Sequence, residues 1–247
     1  IDDELKLAAF IKDFAAIESK KILIHGGGKL ATSMAVQLKI PQQMIDGRRI
    51  TDAETLKLVV MVYAGFLNKN IVAQLQAESC NAIVLTGADG NLILAHKRIN
   101  VSIDYGFVGD IDKVNSDLLK TLLDQNITVI IAPVTHDNSG QLLNTNADTI
   151  AQEIAKAMAE IYQVSLIYSF EKTGVLRNAD DESSVINKID KNLYKELKAT
   201  GAIFAGMIPK LDNAFSAIDN GVSKVIIGKA ENLHQLIKGE SGTTISN

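Results

Sequence analysis

Apolar residues along this chain follow two alternating spacings. Short runs apolar on both faces occupy 21–25, 81–86, 127–134, 164–170 and 222–228, with β-branched stretches such as AIVLTG, TVIIAPV and KVIIG. Runs of this kind predict parallel strands covered by helices. Between them, helical periodicity appears near 3–17, 29–38, 52–78, 115–125, 147–160, 191–199 and 208–219. Thr51-Asp-Ala-Glu54 reads as a capping box, and Asn220-Gly221 as a helix stop. The alternation predicts an α/β fold: a three-layer αβα sandwich with an open, mainly parallel sheet. Two polar, turn-rich stretches, 88–113 and 176–190, read as hairpins or flaps on one edge. No internal repeat interrupts the pattern.

The first strand runs straight into His25-Gly26-Gly27-Gly28 and then into a helix. Such a turn aims backbone N–H groups and a helix N-terminus at one point, which suits a phosphate. Three glycines in a row exceed what close packing alone requires. Gly26 to Ala31 fits the G-x-G-x-x-G/A dinucleotide pattern, but the nearest acidic residue at the needed distance, Asp46, falls in a turn. The histidine and glycines also resemble an esterase oxyanion loop, yet no G-x-S-x-G elbow exists, and no Walker A loop either. A phosphoryl-transfer site of another construction stays open, beside a turn that serves packing only.

Three more stretches carry candidate chemistry. Asn144-Thr145-Asn146-Ala147-Asp148 opens the helix at 147–160. Asn and Asp are favoured helix caps, but three in five positions exceed one cap's needs, at the carboxyl end of a strand. Gly47-Arg48-Arg49-Ile50-Thr51 precedes a capped helix. Two arginines in a turn commonly face solvent; placed opposite a glycine loop, one can clamp a carboxylate with two prongs. Gly206-Met207-Ile208-Pro209-Lys210 opens the helix at 208–219. Lys210 then lies in a first turn, where the helix dipole disfavours a cation.

Composition narrows the classes. The 247 residues suffice for one large α/β domain or two lobes, and a net charge of −4 without any basic run argues against nucleic acid as a partner. A single cysteine, Cys80, excludes an internal disulfide and suggests a reducing compartment. The longest apolar runs, such as 59–67, fall short of the roughly 18–20 residues of a membrane span, so a soluble cytoplasmic protein is expected. His25, His96, His136 and His234 show no metal-ligand spacing, and no protein metal site is expected.

Taken together, HGGG (25–28), GRRIT (47–51), NTNAD (144–148), GMIPK (206–210) and GTTI (242–245) resemble the amino acid kinase family, in its order and spacing over nearly the whole chain. Within it they are most similar to the kinases of N-acylated glutamate. The resemblance implies ATP-dependent phosphorylation of the side-chain carboxylate of an N-acyl-L-glutamate in arginine biosynthesis, with Mg²⁺. It implies an N-lobe, 1–160, that binds the acylglutamate and forms a homodimer, and a C-lobe, 161–247, that binds ATP. By the same match, Gly26 and Gly27 would cradle the transferred phosphoryl group and Lys210 would bind ATP phosphates. Asp148 would orient catalytic lysines, Asn144 would hold the substrate, and Arg49 would grip its α-carboxylate. The nucleotide loop is expected at Glu171, Lys172 and Gly174, where Glu171 takes the acidic position and Lys172 replaces an apolar residue. Other members of the family, such as carbamate, aspartate or uridylate kinases, remain alternatives, as does a non-catalytic amino-acid-sensing relative. The family's opening strand, carrying a lysine followed by glycines, is expected about ten residues long ahead of Ile1.

Overall fold

The computed structural model describes residues 3–45, 48–100, 102–178, 180–203 and 207–246; Asp46, Gly47 and Gly206 of the motifs above lie outside the described residues. Helix α1 (Glu4–Ala15) is N-capped by Asp3, whose carboxylate accepts from the Lys6 N–H at 3.0 Å. Its C-terminal end is closed by Lys21, whose ammonium donates to the carbonyls of Phe14 and Ala15 at 2.8 Å and of Ile17 at 2.6 Å. A cation belongs there, because the last carbonyls of a helix concentrate negative charge. The chain then forms β1 (Ile22–Ile24), α2 (Gly28–Gln37) and a hairpin of β2 (Gln43–Ile45) with β3 (Arg48–Ile50).

Residues 53–77 form one helical rod in three parts: α3 (Ala53–Val60), a π-helical segment (Met61–Leu67) and α4 (Asn68–Ala77). At 25 residues it is long and apolar enough to cross a membrane by length and composition, more than its separate apolar runs suggest. One face nevertheless lines a core, with Leu58, Val59, Val62, Tyr63, Leu67, Ile71 and Leu75 buried. Its N-cap is Asp52, which accepts from the Thr55 N–H at 2.8 Å. The expected capping role of Thr51 is therefore corrected: its hydroxyl, fully buried, is occupied elsewhere.

Next come β4 (Ala82–Leu85), β5 (Ile93–Lys97), β6 (Gly109–Val114), α5 (Ser116–Asp124), β7 (Thr128–Ile131), β8 (Val134–His136) and β9 (Leu142–Asn144). β7 sits between β1 and β4, parallel to both, and all four of its residues are buried. Thr-Val-Ile-Ile suits that place, since β-branched side chains fill a strand covered on both faces. The polar stretch 88–113 folds into the antiparallel β5–β6 pair within a sheet ordered β6-β5-β8-β9. The Arg98 guanidinium braces that hairpin against Asp110 at 2.6 Å.

The chain divides into two compact units, Ile1–Ile150 and Ala151–Asn247. The division falls inside α6 (Ala147–Ala159), whose later turns belong to the second core. Ala155 is buried there and the Gln152 side chain donates to Ser216 at 3.0 Å. That unit contains β10 (Ser165–Phe170), β11 (Lys188–Ile189), α7 (Lys191–Thr200), α8 (Ile208–Asp219), β12 (Lys224–Lys229), α9 (Leu233–Lys238) and β13 (Thr243–Ile245). Its sheet is ordered β10-β12-β13-β11; β10 and β12 run parallel over six residue pairs. Leu166, Tyr168, Val225 and Ile227 pack there with Leu211, Ala214 and Phe215 of α8.

The glycine turn packs closely in the first unit. Gly27 has φ +148°, and a Cβ placed on it would lie 2.5 Å from Leu67 Cδ1 and 2.9 Å from Tyr63 Cε1. A Cβ on Gly26 or Gly28 would meet nothing within 4 Å. Gly27→Ala should therefore cost about 2–4 kcal/mol through backbone strain plus overpacking, and Gly26→Ala under about 1 kcal/mol. Chemical denaturation of the two variants checks this; equal losses would refute the packing account of Gly27.

Candidate functional site

Two of the three glycines face open space while the middle one presses on the π-helical segment. Among the described residues, no hydrogen-bond acceptor takes the N–H of Gly26 or Gly27. Their donors sit where α2 begins, so the turn presents neutral N–H groups beside a helix N-terminus, whose partial positive charge favours an anion. The turn is anchored from below. The His25 backbone N–H donates to the Ile131 carbonyl at 3.2 Å, and the ring is 3% exposed. Its Nδ1 lies 2.7 Å from the Gly26 carbonyl, and its Nε2 lies 2.7 Å from the Asn68 side-chain amide. Burial holds the His25 pKa below its ordinary value, against the upward pull of those two bonds.

Arg49 on β3 reaches this turn. Its Nη2 donates to the Gly28 carbonyl at 3.0 Å and to Thr32 Oγ1 at 2.9 Å, and its Nη1 donates to Gln42 Oε1. It also acts on Tyr63, whose pKa burial raises while Arg49 pulls it down. These contacts tie β3 to α2 and the rod, and they also set the guanidinium beside the glycines. The expected partner Asn144 joins through an unforeseen intermediary: its Nδ2 donates to Thr51 Oγ1 at 3.0 Å, and its backbone N–H to Phe107 at 2.8 Å. Thr51 is fully buried and adjoins Arg49 in β3's continuation, so the two polar side chains share one support.

Asp148 lies half-buried in the first turn of α6, where the helix dipole stabilises a carboxylate. The cap belongs to Asn146, whose Oδ1 accepts from the Thr149 N–H at 3.0 Å. Capping therefore does not account for Asp148.

The remaining expected residues lie in the second unit. Lys210 is half-buried in the first turn of α8, its ammonium 5.7 Å from the ring centre of Tyr168 and 6.0 Å from that of Phe170. Those ring faces offset the repulsion a cation meets at a helix N-terminus. The helix has no side-chain N-cap, and Pro209 stands in its first turn. Glu171 and Lys172 are exposed in the bend that follows β10. Lys172 Nζ lies 3.9 Å and Lys229 Nζ 2.7 Å from Glu182, whose carboxyl is held below the usual range chiefly by the Lys229 bond. Lys229, at the carboxyl end of β12, was not signalled by any sequence motif. Gly174 has a packing explanation: a Cβ there would lie 2.8 Å from Thr243 Oγ1, which accepts from the Val175 N–H at 2.8 Å. Among the described residues no group of three or more His, Cys, Asp or Glu could hold a metal ion.

The amino acid kinase family model matches residues 1–229. An acetylglutamate kinase of Cytophaga hutchinsonii is 57% identical over 238 residues, covering 96% of this chain and 90% of the relative. One from Parabacteroides distasonis is 54% identical over 95% of this chain and 92% of its own length. The crystal structure of smu.665 from Streptococcus mutans superposes with a TM-score of 0.77 at 28% identity, covering 95% of this chain and 88% of that one. An N-acetylglutamate synthase from Neisseria gonorrhoeae, at 22% identity and covering 98% of this chain and 55% of that one, shares the fold with a TM-score of 0.81. With a matching model across most of its length and relatives above half identity, this chain belongs to the amino acid kinase family.

Proposed function

We propose that this chain transfers the γ-phosphoryl group of ATP to the side-chain carboxylate of N-acetyl-L-glutamate, in arginine biosynthesis. The observation that carries the reading is the convergence in one unit of the Gly26–Gly27 donors, the Arg49 guanidinium and Asn144. The kinship with acetylglutamate kinases at 57% and 54% identity favours it over carbamate or aspartate phosphorylation and over a sensing role without turnover.

The chemistry asks for little proton transfer. A glutamate side chain has a pKa of about 4.3 and is ionised at neutral pH, so no general base is required. The obstacle is the approach of a carboxylate to a triphosphate, both anionic. Positioning and charge stabilisation must supply the rate. In this reading Gly26 and Gly27 donate to the phosphoryl group in transfer. Arg49 grips the α-carboxylate, and Asn144 holds the substrate's amide and carboxylate groups. Asp148 orients lysines, and Lys210 with the uncapped start of α8 binds the ATP phosphates. Glu171, Lys172 and Gly174 form the nucleotide loop. Mg²⁺ would arrive on the phosphates and neutralise part of their charge. The first unit would bind the acylglutamate and the second ATP. Exposed Val36, Leu38, Met44, Met61 and Phe66 give the first unit apolar surface for a homodimer partner. A cytoplasmic location goes with the biosynthetic role.

ADP release with Mg-ATP and N-acetylglutamate, set against N-succinylglutamate, aspartate and carbamate, tests the reading. Turnover with none of the acylglutamates would overturn it. Arg49→Lys keeps the charge but loses the fork. It should lower kcat/KM for the acylglutamate by roughly 10- to 150-fold, the equivalent of about 1.5–3 kcal/mol, with KM for ATP unchanged. An equal rise in both KM values would remove Arg49 from the substrate clamp.

Asn146 and Asp148 separate stability from turnover. Asn146→Ala should cost about 1 kcal/mol of stability as a lost cap. Asp148→Asn should cost at most about 1 kcal/mol from the lost dipole interaction, yet reduce kcat by orders of magnitude. Full activity in Asp148→Asn would leave Asp148 with a dipole role only.

A further inference from the structure

The reading above gives the glycine turn its donors but leaves open what aims them. The peptide between Gly26 and Gly27 is trans, like every peptide described here. In a trans peptide the carbonyl of one residue and the N–H of the next point in opposite directions. Whatever fixes the Gly26 carbonyl therefore also fixes the direction of the Gly27 N–H. The Gly26 carbonyl points to the buried side, where His25 Nδ1 lies 2.7 Å away. A carbonyl only accepts, so the proton of that bond sits on Nδ1.

The ring itself is held. With its one proton on Nδ1, the neutral ring accepts at Nε2, so the Asn68 amide 2.7 Å away holds it by turning its N–H to that nitrogen rather than to the Leu85 carbonyl at 3.4 Å. Asn68 is 2% exposed and opens α4 directly after the π-helical segment, the segment whose Leu67 and Tyr63 also crowd Gly27. Glycine at 26 and 27 has the widest conformational freedom of any residue, and without a tether this peptide could flip. Neither histidine nor asparagine reaches open solvent at this place, so neither is positioned to touch a substrate.

Resting on the phosphoryl-transfer reading, we propose that His25 is a positioning residue: through the Gly26 carbonyl it aims the Gly27 N–H outward at the transferred phosphoryl group, and Asn68 locks the ring that does so. The interaction is made with the backbone, not with substrate. Its loss should therefore appear in kcat, where the phosphoryl group carries most of its developing charge, and little in the KM of either substrate.

Two variants distinguish aiming from mere support. In His25→Asn the side-chain amide N–H can take the place of Nδ1 and reach the Gly26 carbonyl. In His25→Gln the longer side chain extends toward Asn68 and leaves that carbonyl without its donor. Both are to be purified as full chains, with melting temperature, kcat, and KM for N-acetylglutamate and ATP measured together. We expect His25→Gln to lose roughly 10- to 100-fold in kcat, less than outright removal of an oxyanion donor costs. Its KM values should stay within about threefold, and His25→Asn should retain at least about ten times the kcat of His25→Gln. Should both variants lose activity only in proportion to their melting temperatures, His25 supports the fold and the proposal fails. It fails equally if His25→Gln keeps the wild-type kcat. A wild-type chain without kinase activity on any acylglutamate would instead overturn the proposed function, and this role with it. A fall in KM-dependent rate alone, with kcat unchanged, would place His25 in substrate binding and also refute the aiming role.

Discussion

The absence of one methyl group organises the first unit. Gly27 lets the turn after β1 lie directly on the rod at 53–77, its α-carbon against Leu67 and Tyr63. Because that contact is backbone on side chain, it fixes the height of the turn above the helix to within the tolerance of close packing. Everything polar nearby is referenced to it. Arg49 reaches the Gly28 carbonyl and Tyr63, Thr51 follows Arg49 along the chain, and Asn144 bonds Thr51. A substitution that lifted the turn would disturb this chain of contacts as a unit, and the energies of its members are not expected to add.

On the proposed function, a protein of net charge −4 handles anions through local groups. The groups aimed outward by the turn are neutral N–H donors, and the nearby guanidinium is already spread over three acceptors. In the second unit the same logic appears as Lys210 over two aromatic faces and as two lysines facing Glu182. Each cation is thus partly compensated before any ligand arrives. In that reading local placement, not overall charge, would carry the attraction.

Much of the fold was readable from the chain because its strands are buried on both faces and rich in β-branched residues, as in Thr128 to Ile131. The helices at 53–77, 147–159 and 208–219 followed from periodicity and their polar starts. The short α9 (Leu233–Lys238) was not, since six residues show less than two turns of pattern. Caps were the least legible. Thr51 and Asp52 are both good cap residues, as are Asn146 and Asp148, and only tertiary demand for the Thr51 hydroxyl and the reach of Asn146 decided between them. The candidate site was legible as motifs, while its supports, Tyr63, Asn68 and Thr51, come from distant segments that leave no local signature. Gly174 carried a glycine that packing against Thr243 explains.

The wide turn at Met61–Leu67 holds a further consequence. Such segments amount to one residue too many for an ordinary α-helix, accommodated without breaking it. Each residue of an α-helix advances the side chains by about 100° around its axis. Rewinding Met61–Leu67 as ordinary α-helix with every residue kept would rotate each side chain beyond it by about that amount relative to α3. Asn68 would swing away from the ring it holds, while the hydrophobic seam of α4 would turn partly outward. The extra residue is, in effect, the phase adjustment that allows one straight rod to face two different neighbours.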